Sequence, residues 1–229
     1  MKTAIVTGAS GNLGQAVVNK FLEEKYKVIG TVNHSEPAKT TLNNPGFDEM
    51  PVDLMDEEKA KEFVNGVISK NKSIDVAVLT VGGFAAGRIS ETSTADIMKQ
   101  YKLNFETAYN VVRPIFIQMM QQGYGRIFIV GSRPGLEARY GKGMVAYGLA
   151  KSLIFRLAEL MNDEAKGHNV VTSVVVPSTI DTPQNRKSMP DAKFENWVKP
   201  EAIADVIYFH CTEEGAMLRE PVIKVYGNA

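Results

Sequence analysis

The sequence predicts an α/β fold in which helices cover both faces of a doubly wound parallel sheet. Short β-branched runs alternate with longer amphipathic stretches almost to the end of the chain. The strand-like runs are nearly continuous in apolar residues, which is typical of strands that are buried on both faces. Such alternation places the connecting helices on the two faces of the sheet. At 229 residues the chain fits one domain, which we expect to span residues 1–229.

The elements follow one another in a regular order. Strands are predicted at residues 4–6, 27–32, 50–52, 74–81, 126–131, 170–176 and 222–225. Helices are predicted at residues 13–24, 57–68, 94–121, 144–164 and 201–211. The third helix is expected to bend at Pro114, because proline removes a helical hydrogen bond. Residues 177–200 show no clear period, and long segments of this kind are usually functional, so we expect 178–199 to form a lid over the substrate.

The charge balance argues against several classes of protein. Lys+Arg and Asp+Glu number 26 each, so no basic surplus indicates binding to nucleic acid or to an anionic membrane. The apolar runs are too short for a signal segment or a membrane span, and we expect a soluble, cytoplasmic protein. The single cysteine, Cys211, excludes an internal disulfide framework and is expected to be a small buried apolar group. His34, His168 and His210 lie in different elements without metal-ligand spacing, so no metal site is expected.

Glycines follow the first predicted strand. The segment Thr7-Gly8-Ala9-Ser10-Gly11-Asn12-Leu13-Gly14 lies between that strand and the first helix. Glycine there permits a tight turn and lets backbone N–H groups approach a pyrophosphate, to which the helix N-terminus adds partial positive charge. A purely structural turn is the alternative. The predicted dinucleotide contacts are Gly8, Ser10, Gly11, Asn12, Leu13 and Gly14.

This turn resembles the fingerprint of the short-chain dehydrogenase/reductase family, Thr-Gly-x-x-x-Gly-x-Gly. The middle glycine comes one position early, at Gly11, and Asn12 stands where the family usually has glycine. We expect the turn to persist, because asparagine tolerates left-handed dihedral angles. The resemblance implies a Rossmann-type fold and an NAD(P) coenzyme whose adenine is contacted by Asp53 and Leu54. For Asp53, a polar residue that ends a strand is the alternative.

The residues after the second strand bear on the choice of coenzyme. A carboxylate there would bind the ribose 2′-hydroxyl of NAD and repel the 2′-phosphate of NADP. The chain has Asn33 and His34 instead, and we expect both to border the coenzyme. The sequence therefore favours NADP, although Asn33 can serve either coenzyme.

Tyr147 and Lys151 share one face of a predicted helix, because they are four residues apart. A neighbouring ammonium favours the phenolate and moves a phenol toward useful acidity. Chance spacing on an ordinary helix is the alternative. In the family that the chain resembles, this tyrosine donates or accepts the proton, and the lysine tunes it and holds the coenzyme ribose. The resemblance also implies that Ser132 orients the substrate, although the enlarged loop around 138–142 leaves its direction open.

Three further matches accompany this pair. Asn104 corresponds to the asparagine that supports a proton relay in the family, and a polar residue that bends a helix is the alternative. Gly82 and Gly83 end the fourth strand and allow close passage of the coenzyme. The segment Pro177-Ser178-Thr179-Ile180-Asp181-Thr182 resembles the family's Pro-Gly-x-x-x-Thr motif, although an ordinary turn is the competing interpretation. The coenzyme contacts implied by that motif are Pro177, Thr179, Ile180 and Thr182, with Thr182 at the nicotinamide carboxamide.

Within the family, the chain is most similar to the dihydropteridine reductase-like branch, over residues 82–87, 144–151 and 179–190. This similarity implies that Phe84 lies beside the substrate, where its ring could stack on a flat heterocycle. Plain hydrophobic lining is an equal alternative. Arg186 is expected at the entrance, either solvated or as a clamp on a phosphate or carboxylate of the substrate. The branch usually has an acidic residue where this chain has Asn33, and it lacks the serine found here at Ser132.

These observations predict an enzyme that transfers a hydride between NAD(P)H and a carbonyl- or iminium-type carbon of a small molecule. Dihydropteridine reductase proper is one alternative, and a non-catalytic NAD(P)-sensing binding protein is another. Family members usually pair through the two long helices that here hold Asn104 and Tyr147. We therefore expect a homodimer or homotetramer without nucleic-acid or membrane partners.

Overall fold

The sheet consists of seven parallel strands. A computed structural model describes residues 1–33 and 44–228. Its strands are β1 (Thr3–Thr7), β2 (Lys27–Val32), β3 (Phe47–Pro51), β4 (Val76–Leu79), β5 (Tyr124–Val130), β6 (Asn169–Pro177) and β7 (Val222–Val225). They lie in the order β3-β2-β1-β4-β5-β6-β7. The order reverses between β1 and β4, and ligands of open α/β sheets bind at the carboxyl ends of the strands flanking such a reversal.

Helices connect the strands. They are α1 (Asn12–Glu23), α2 (Glu57–Asn71), α3 (Thr94–Tyr101), α4 (Thr107–Gln122), α5 (Arg133–Leu136), α6 (Val145–Glu164), α7 (Pro183–Ser188) and α8 (Pro200–Phe209). Single 3-10 turns occur at Ala138–Tyr140, Phe194–Asn196 and Gly215–Met217. Within the described ranges, none of the helices combines the length and apolarity needed to span a membrane.

Two hydrophobic clusters form the core, one on each face of the sheet. Successive residues of β5 supply both, since Ile127 belongs to the cluster with α2, α4 and α6, whereas Phe128 belongs to the cluster with α1 and α8. Both side chains are almost fully buried, and each such burial contributes about 1.5–3 kcal/mol to folding. The prediction of a doubly wound parallel sheet with helices on both faces is therefore confirmed.

The long helix predicted at 94–121 is irregular, but at a different place from the one expected. A π-helical turn at Lys102–Glu106 separates α3 from α4, whereas Pro114 lies inside α4. The expectation that the irregularity falls at Pro114 was wrong. The π-helical turn is wider than an α-helical turn and holds one additional residue. Such turns inside α-helices are frequent at functional sites.

The segment predicted to lack regular structure contains α7 and a 3-10 turn. Its two ends are tied together, because Asp181 N donates to Val198 O at 2.8 Å and Val198 N donates to Thr179 O at 3.0 Å. The segment thus forms a closed excursion beyond the carboxyl end of β6.

Candidate active site

A cavity of about 460 Å³ lies at the carboxyl edge of the sheet, where β1 and β4 are neighbours. It brings together many of the residues predicted to contact a coenzyme. These are Gly8, Ser10, Gly11, Asn12, Leu13, Gly14, Asn33, Asp53, Leu54, Gly82, Ile180 and Thr182. Sequence reasoning missed other lining residues, namely Thr31, Val32, Val52, Met55, Thr80, Val81, Leu103, Thr107 and Asn185. Six of these nine residues end or follow a strand, namely Thr31, Val32, Val52, Met55, Thr80 and Val81, and that position is the signal that could have identified them.

Some predicted coenzyme residues lie elsewhere. Pro177 belongs to β6 and pairs with Val225, and the Thr179 carbonyl accepts a hydrogen bond from Val198. Neither residue lines the cavity. His34 lies outside the described residues.

The glycine turn has a conformation that side chains would obstruct. Gly8 has a φ of +68°, in the left-handed region, and a side chain at Gly14 would overlap the backbone of Gly8. Gly11 caps α1 with an extended backbone, and Asn12 is the first helical residue. The turn persists as expected, but the reason given for Asn12 was wrong, because Asn12 does not adopt left-handed dihedral angles. The N-terminus of α1 thus borders the cavity with free backbone N–H groups.

Asn12 also connects the glycine turn to the excursion beyond β6. Its Nδ2 donates to Gln184 Oε1 at 2.9 Å. Gln184 belongs to α7. Thr182 is the N-cap of this helix, and its Oγ1 accepts a hydrogen bond from Asn185 N at 3.2 Å. Because residues from both sides of this contact line the cavity, the Asn12–Gln184 hydrogen bond spans its rim.

The Ser132 hydroxyl lies close enough to the Tyr147 phenol to influence its ionisation. Ser132 Oγ accepts a hydrogen bond from Gly135 N at 3.2 Å as the N-cap of α5. The enlarged loop folds as α5 and the 3-10 turn Ala138–Tyr140, which hold Ser132 against α6. Burial raises the pKa of Tyr147, and the nearby Ser132 hydroxyl partly opposes that rise.

Lys151 is buried one helical turn from Tyr147. Its Nζ donates to Val130 O at 2.8 Å, and desolvation lowers the pKa of the amine to about 8. A side chain at Gly82 would come within 3.1 Å of this nitrogen, so the amine lies next to the cavity wall. The expectation of a phenol with a lowered pKa is not met in this arrangement, because the cost of burying the phenolate exceeds the effect of its neighbours.

Asn104 lies in the π-helical turn and is 1% exposed. Its Oδ1 accepts from Gly83 N at 3.1 Å, and its Nδ2 donates to Gly83 O at 2.9 Å. Nδ2 also donates to Oε1 of Gln100 at 2.9 Å. Sequence reasoning missed Gln100, although an amide four residues before Asn104 was the available signal.

The two predicted substrate contacts lie in different surroundings. The Phe84 ring is 63% exposed and meets the Tyr147 ring edge-on, with centroids 5.3 Å apart. Arg186 instead forms a two-pronged ion pair with Asp181, at 2.6 and 2.8 Å, and its guanidinium lies over the Phe194 ring. Phe84 thus lies beside the phenol, whereas the positive charge of Arg186 is balanced by Asp181.

Within the described ranges, no group of three or more His, Cys, Asp or Glu side chains could hold a metal ion. Cys211 is buried, and desolvation raises the pKa of its thiol to about 12. This agrees with the expected small buried apolar group.

Comparison with known proteins places this chain in a family. The family model described as short chain dehydrogenase matches residues 2–193. The chain belongs to the short chain dehydrogenase family. It is therefore an oxidoreductase with an NAD(P)-binding Rossmann fold.

Several known proteins resemble the chain over most of its length. The acetoacetyl-CoA reductase of Acinetobacter sp. is 25% identical, over 99% of this chain and 96% of that protein. The dihydropteridine reductase of Dictyostelium discoideum is 28% identical, over 90% of this chain and 86% of that protein. The solved structure of ElxO with NADP bound has a TM-score of 0.89 at 23% identity, and covers 99% of this chain and 97% of that one. The last likeness is one of fold.

Proposed function

We propose that this short chain dehydrogenase transfers a hydride between NAD(P)H and a carbonyl- or iminium-type carbon of a small molecule, with Tyr147 as the proton donor or acceptor. One observation carries the proposal: Tyr147 lies one helical turn along α6 from the buried Lys151, and the Lys151 amine lies beside Gly82 of the cavity. The amine thus adjoins the cavity at Gly82, with the phenol one helical turn away and the Ser132 hydroxyl near the phenol.

The cavity fits a nicotinamide dinucleotide. Backbone N–H groups at the start of α1 would bind the pyrophosphate, since Gly8 and Gly14 leave no side chain in the turn. Asp53 and Leu54 would adjoin the adenine, and Thr182 the nicotinamide carboxamide. When bound, the nicotinamide supplies or accepts the hydride.

The chain's own residues handle the proton and the orientation of the substrate. Ser132 would orient the reacting oxygen or nitrogen toward Tyr147, and Tyr147 would give or take the proton at its hydroxyl. Lys151, as an ammonium beside Gly82, would hold the coenzyme ribose and offset part of the cost of forming the buried phenolate. Asn104 would support the relay that returns the proton. Both the tyrosine and the lysine are present and convergent, which disfavours a binding protein without turnover.

NADP is the proposed coenzyme. Asn33 lines the cavity after β2, at the place where a carboxylate would select NAD. An amide exerts no charge repulsion on a 2′-phosphate, so NADP can be accommodated.

A quinonoid dihydropterin is the second candidate substrate. The exposed Phe84 ring beside Tyr147 offers an apolar face to a flat heterocycle. The similarity to the Dictyostelium dihydropteridine reductase over 90% of the chain also supports it. Such a substrate is already electron-poor and would depend less on Ser132.

Initial rates with NADPH and NADH, measured over a panel of ketones, aldehydes and quinonoid dihydropterin, test this proposal. We expect turnover of at least one class, with the higher kcat/KM for NADPH. A preference for NADH of about tenfold or more would contradict the coenzyme assignment. Coenzyme binding without turnover across the panel would contradict catalysis.

We further propose that residues 178–199 act as a lid over the substrate. The closed excursion reaches the glycine turn through the Asn12–Gln184 hydrogen bond, so opening that contact would widen the cavity rim.

The cytoplasmic location stays a prediction.

We also propose a homodimer or homotetramer that pairs through α4 and α6. Leu149, Leu153 and Leu160 form an exposed apolar stripe on α6, and Tyr109 and Ile117 are exposed on α4. Exposed apolar stripes of this kind are typical of subunit interfaces. Light scattering at micromolar concentration should give at least twice the monomer mass of 25.1 kDa; a monomer would contradict the pairing.

A further inference from the structure

Helix α3 buries one residue, and that residue is polar. Among Thr94–Tyr101 only Gln100 is buried, and it is 4% exposed. Burying a side-chain amide is costly unless its polar atoms are hydrogen-bonded. An apolar residue of similar size would pack at this position without that cost, so the hydrogen bonds of Gln100 need an explanation.

The amide of Gln100 is directed at Asn104. Its Oε1 accepts from Asn104 Nδ2 at 2.9 Å, whereas the other acceptor on the same residue, the Gln100 backbone oxygen, is 3.3 Å from that nitrogen. The second hydrogen of Nδ2 goes to Gly83 O, and Oδ1 accepts from Gly83 N. The Asn104 amide therefore takes part in four hydrogen bonds, of which only the one with Gln100 Oε1 involves another side chain.

The hydrogen-bonded amides of Gln100 and Asn104 lie next to the cavity wall and next to Lys151. Gly83 follows Gly82, which lines the cavity. A side chain at Gly82 would come within 2.7 Å of Asn104 Oδ1 and 3.1 Å of Lys151 Nζ, so both polar atoms adjoin the same small space. Helix α3 also packs against α6, which carries Lys151. A displaced Asn104 amide would alter the Gly82–Gly83 backbone and the surroundings of Lys151 together.

We infer that Gln100 is a positioning residue, which fixes the side chain of Asn104 and, through it, the Gly82–Gly83 backbone beside the coenzyme and Lys151. The kinetic part of this inference rests on the proposed function. The structural part does not, because it concerns hydrogen bonds within the chain. The two parts can therefore be tested separately.

Gln100→Met keeps the length of the side chain and removes the acceptor oxygen. We expect the backbone amide hydrogen of Gly83 to exchange with solvent about tenfold faster in this variant, since its acceptor Asn104 is less firmly held. We expect kcat to fall about 10- to 100-fold, because small misplacements near a reaction centre have effects of that size. The Kd of NADPH should change less than kcat.

Three companion variants separate positioning from general destabilisation. Gln100→Glu keeps an acceptor oxygen in either protonation state and should retain more activity than Gln100→Met. Gln122→Met removes a glutamine that bonds backbone groups of Ile74 and Tyr124, far from the cavity; it should lower the unfolding midpoint without changing Gly83 exchange or kcat. In an Asn104→Ala background, Gln100→Met should have no further effect on kcat.

The inference is overturned if Gly83 exchange in Gln100→Met equals that of the wild type, whatever the activity. It is also overturned if the wild type turns over and Gln100→Met keeps its kcat. A wild type without turnover would instead contradict the proposed function, and the Gly83 exchange would still decide the positioning role.

Discussion

Replacing Tyr147 with phenylalanine is expected to lower the rate of hydride transfer by about 10²- to 10⁴-fold, the usual contribution of a positioned general acid or base. The substitution removes only the hydroxyl, so the ring contact with Phe84 and the packing of α6 should persist. The Kd of NADPH should therefore stay within about tenfold of the wild-type value, since a hydrogen bond of ordinary strength contributes about 0.5–1.5 kcal/mol. Single-turnover kinetics and coenzyme titration measure the two quantities.

Tyr124→Phe is the matched control. Tyr124 begins β5, at the opposite edge of the sheet from Ser132, and the same hydroxyl is removed there. We expect no loss of rate in this variant. Hydride transfer by Tyr147→Phe at close to the original rate would eliminate the phenol as the proton donor.

Replacing Lys151 with methionine is expected to give an inactive protein that is more stable at neutral pH. Burial lowers the pKa of Lys151 from 10.5 to about 8, so the folded state binds this proton more weakly than the unfolded state does. Below pH 8 both states carry the charge, and folding must bury it. Between pH 8 and 10.5 the unfolded state holds more protons, so this group makes the free energy of unfolding rise with pH, by about 3 kcal/mol in total.

Methionine has no charge to bury, although it gives up the hydrogen bond to Val130. At pH 7 the free energy of unfolding of Lys151→Met should therefore exceed that of the wild type by about 1–3 kcal/mol. Its rise between pH 8 and 10.5 should be smaller than in the wild type. Urea unfolding at several pH values measures both, and turnover assays should show the loss of activity. A variant that is less stable at pH 7, with an unchanged pH dependence, would contradict this account of the lysine.

The sheet could be predicted because its strands are buried on both faces. β1 and β4 are buried along their whole length, so their apolar runs are visible in the sequence without knowledge of their neighbours. The irregular turn at Lys102–Glu106 could not be predicted in this way, because one additional residue in a helical turn leaves no periodic signal. Proline was the visible candidate for the irregularity, yet α4 continues through Pro114.

The site was predictable where local geometry places the side chains. Tyr147 and Lys151 lie on one helix, so their spacing determines that they share a face. The position of Ser132 near Tyr147 depends on how α5 and the following turn fold, and the pairing of Arg186 with Asp181 depends on the N-cap at Thr182 that starts α7. Such contacts join separate elements. Sequence spacing alone does not fix them.

We propose that Tyr147 and Lys151 face a dinucleotide that lies across the carboxyl edge of the sheet. A crystal structure of the protein with NADPH tests it most directly. We expect the pyrophosphate at the glycine turn before α1 and the nicotinamide beside Gly82, with Lys151 Nζ bound to the adjoining ribose and the Tyr147 hydroxyl open to the same space. A coenzyme bound elsewhere, or with its nicotinamide directed away from Tyr147, would contradict the account.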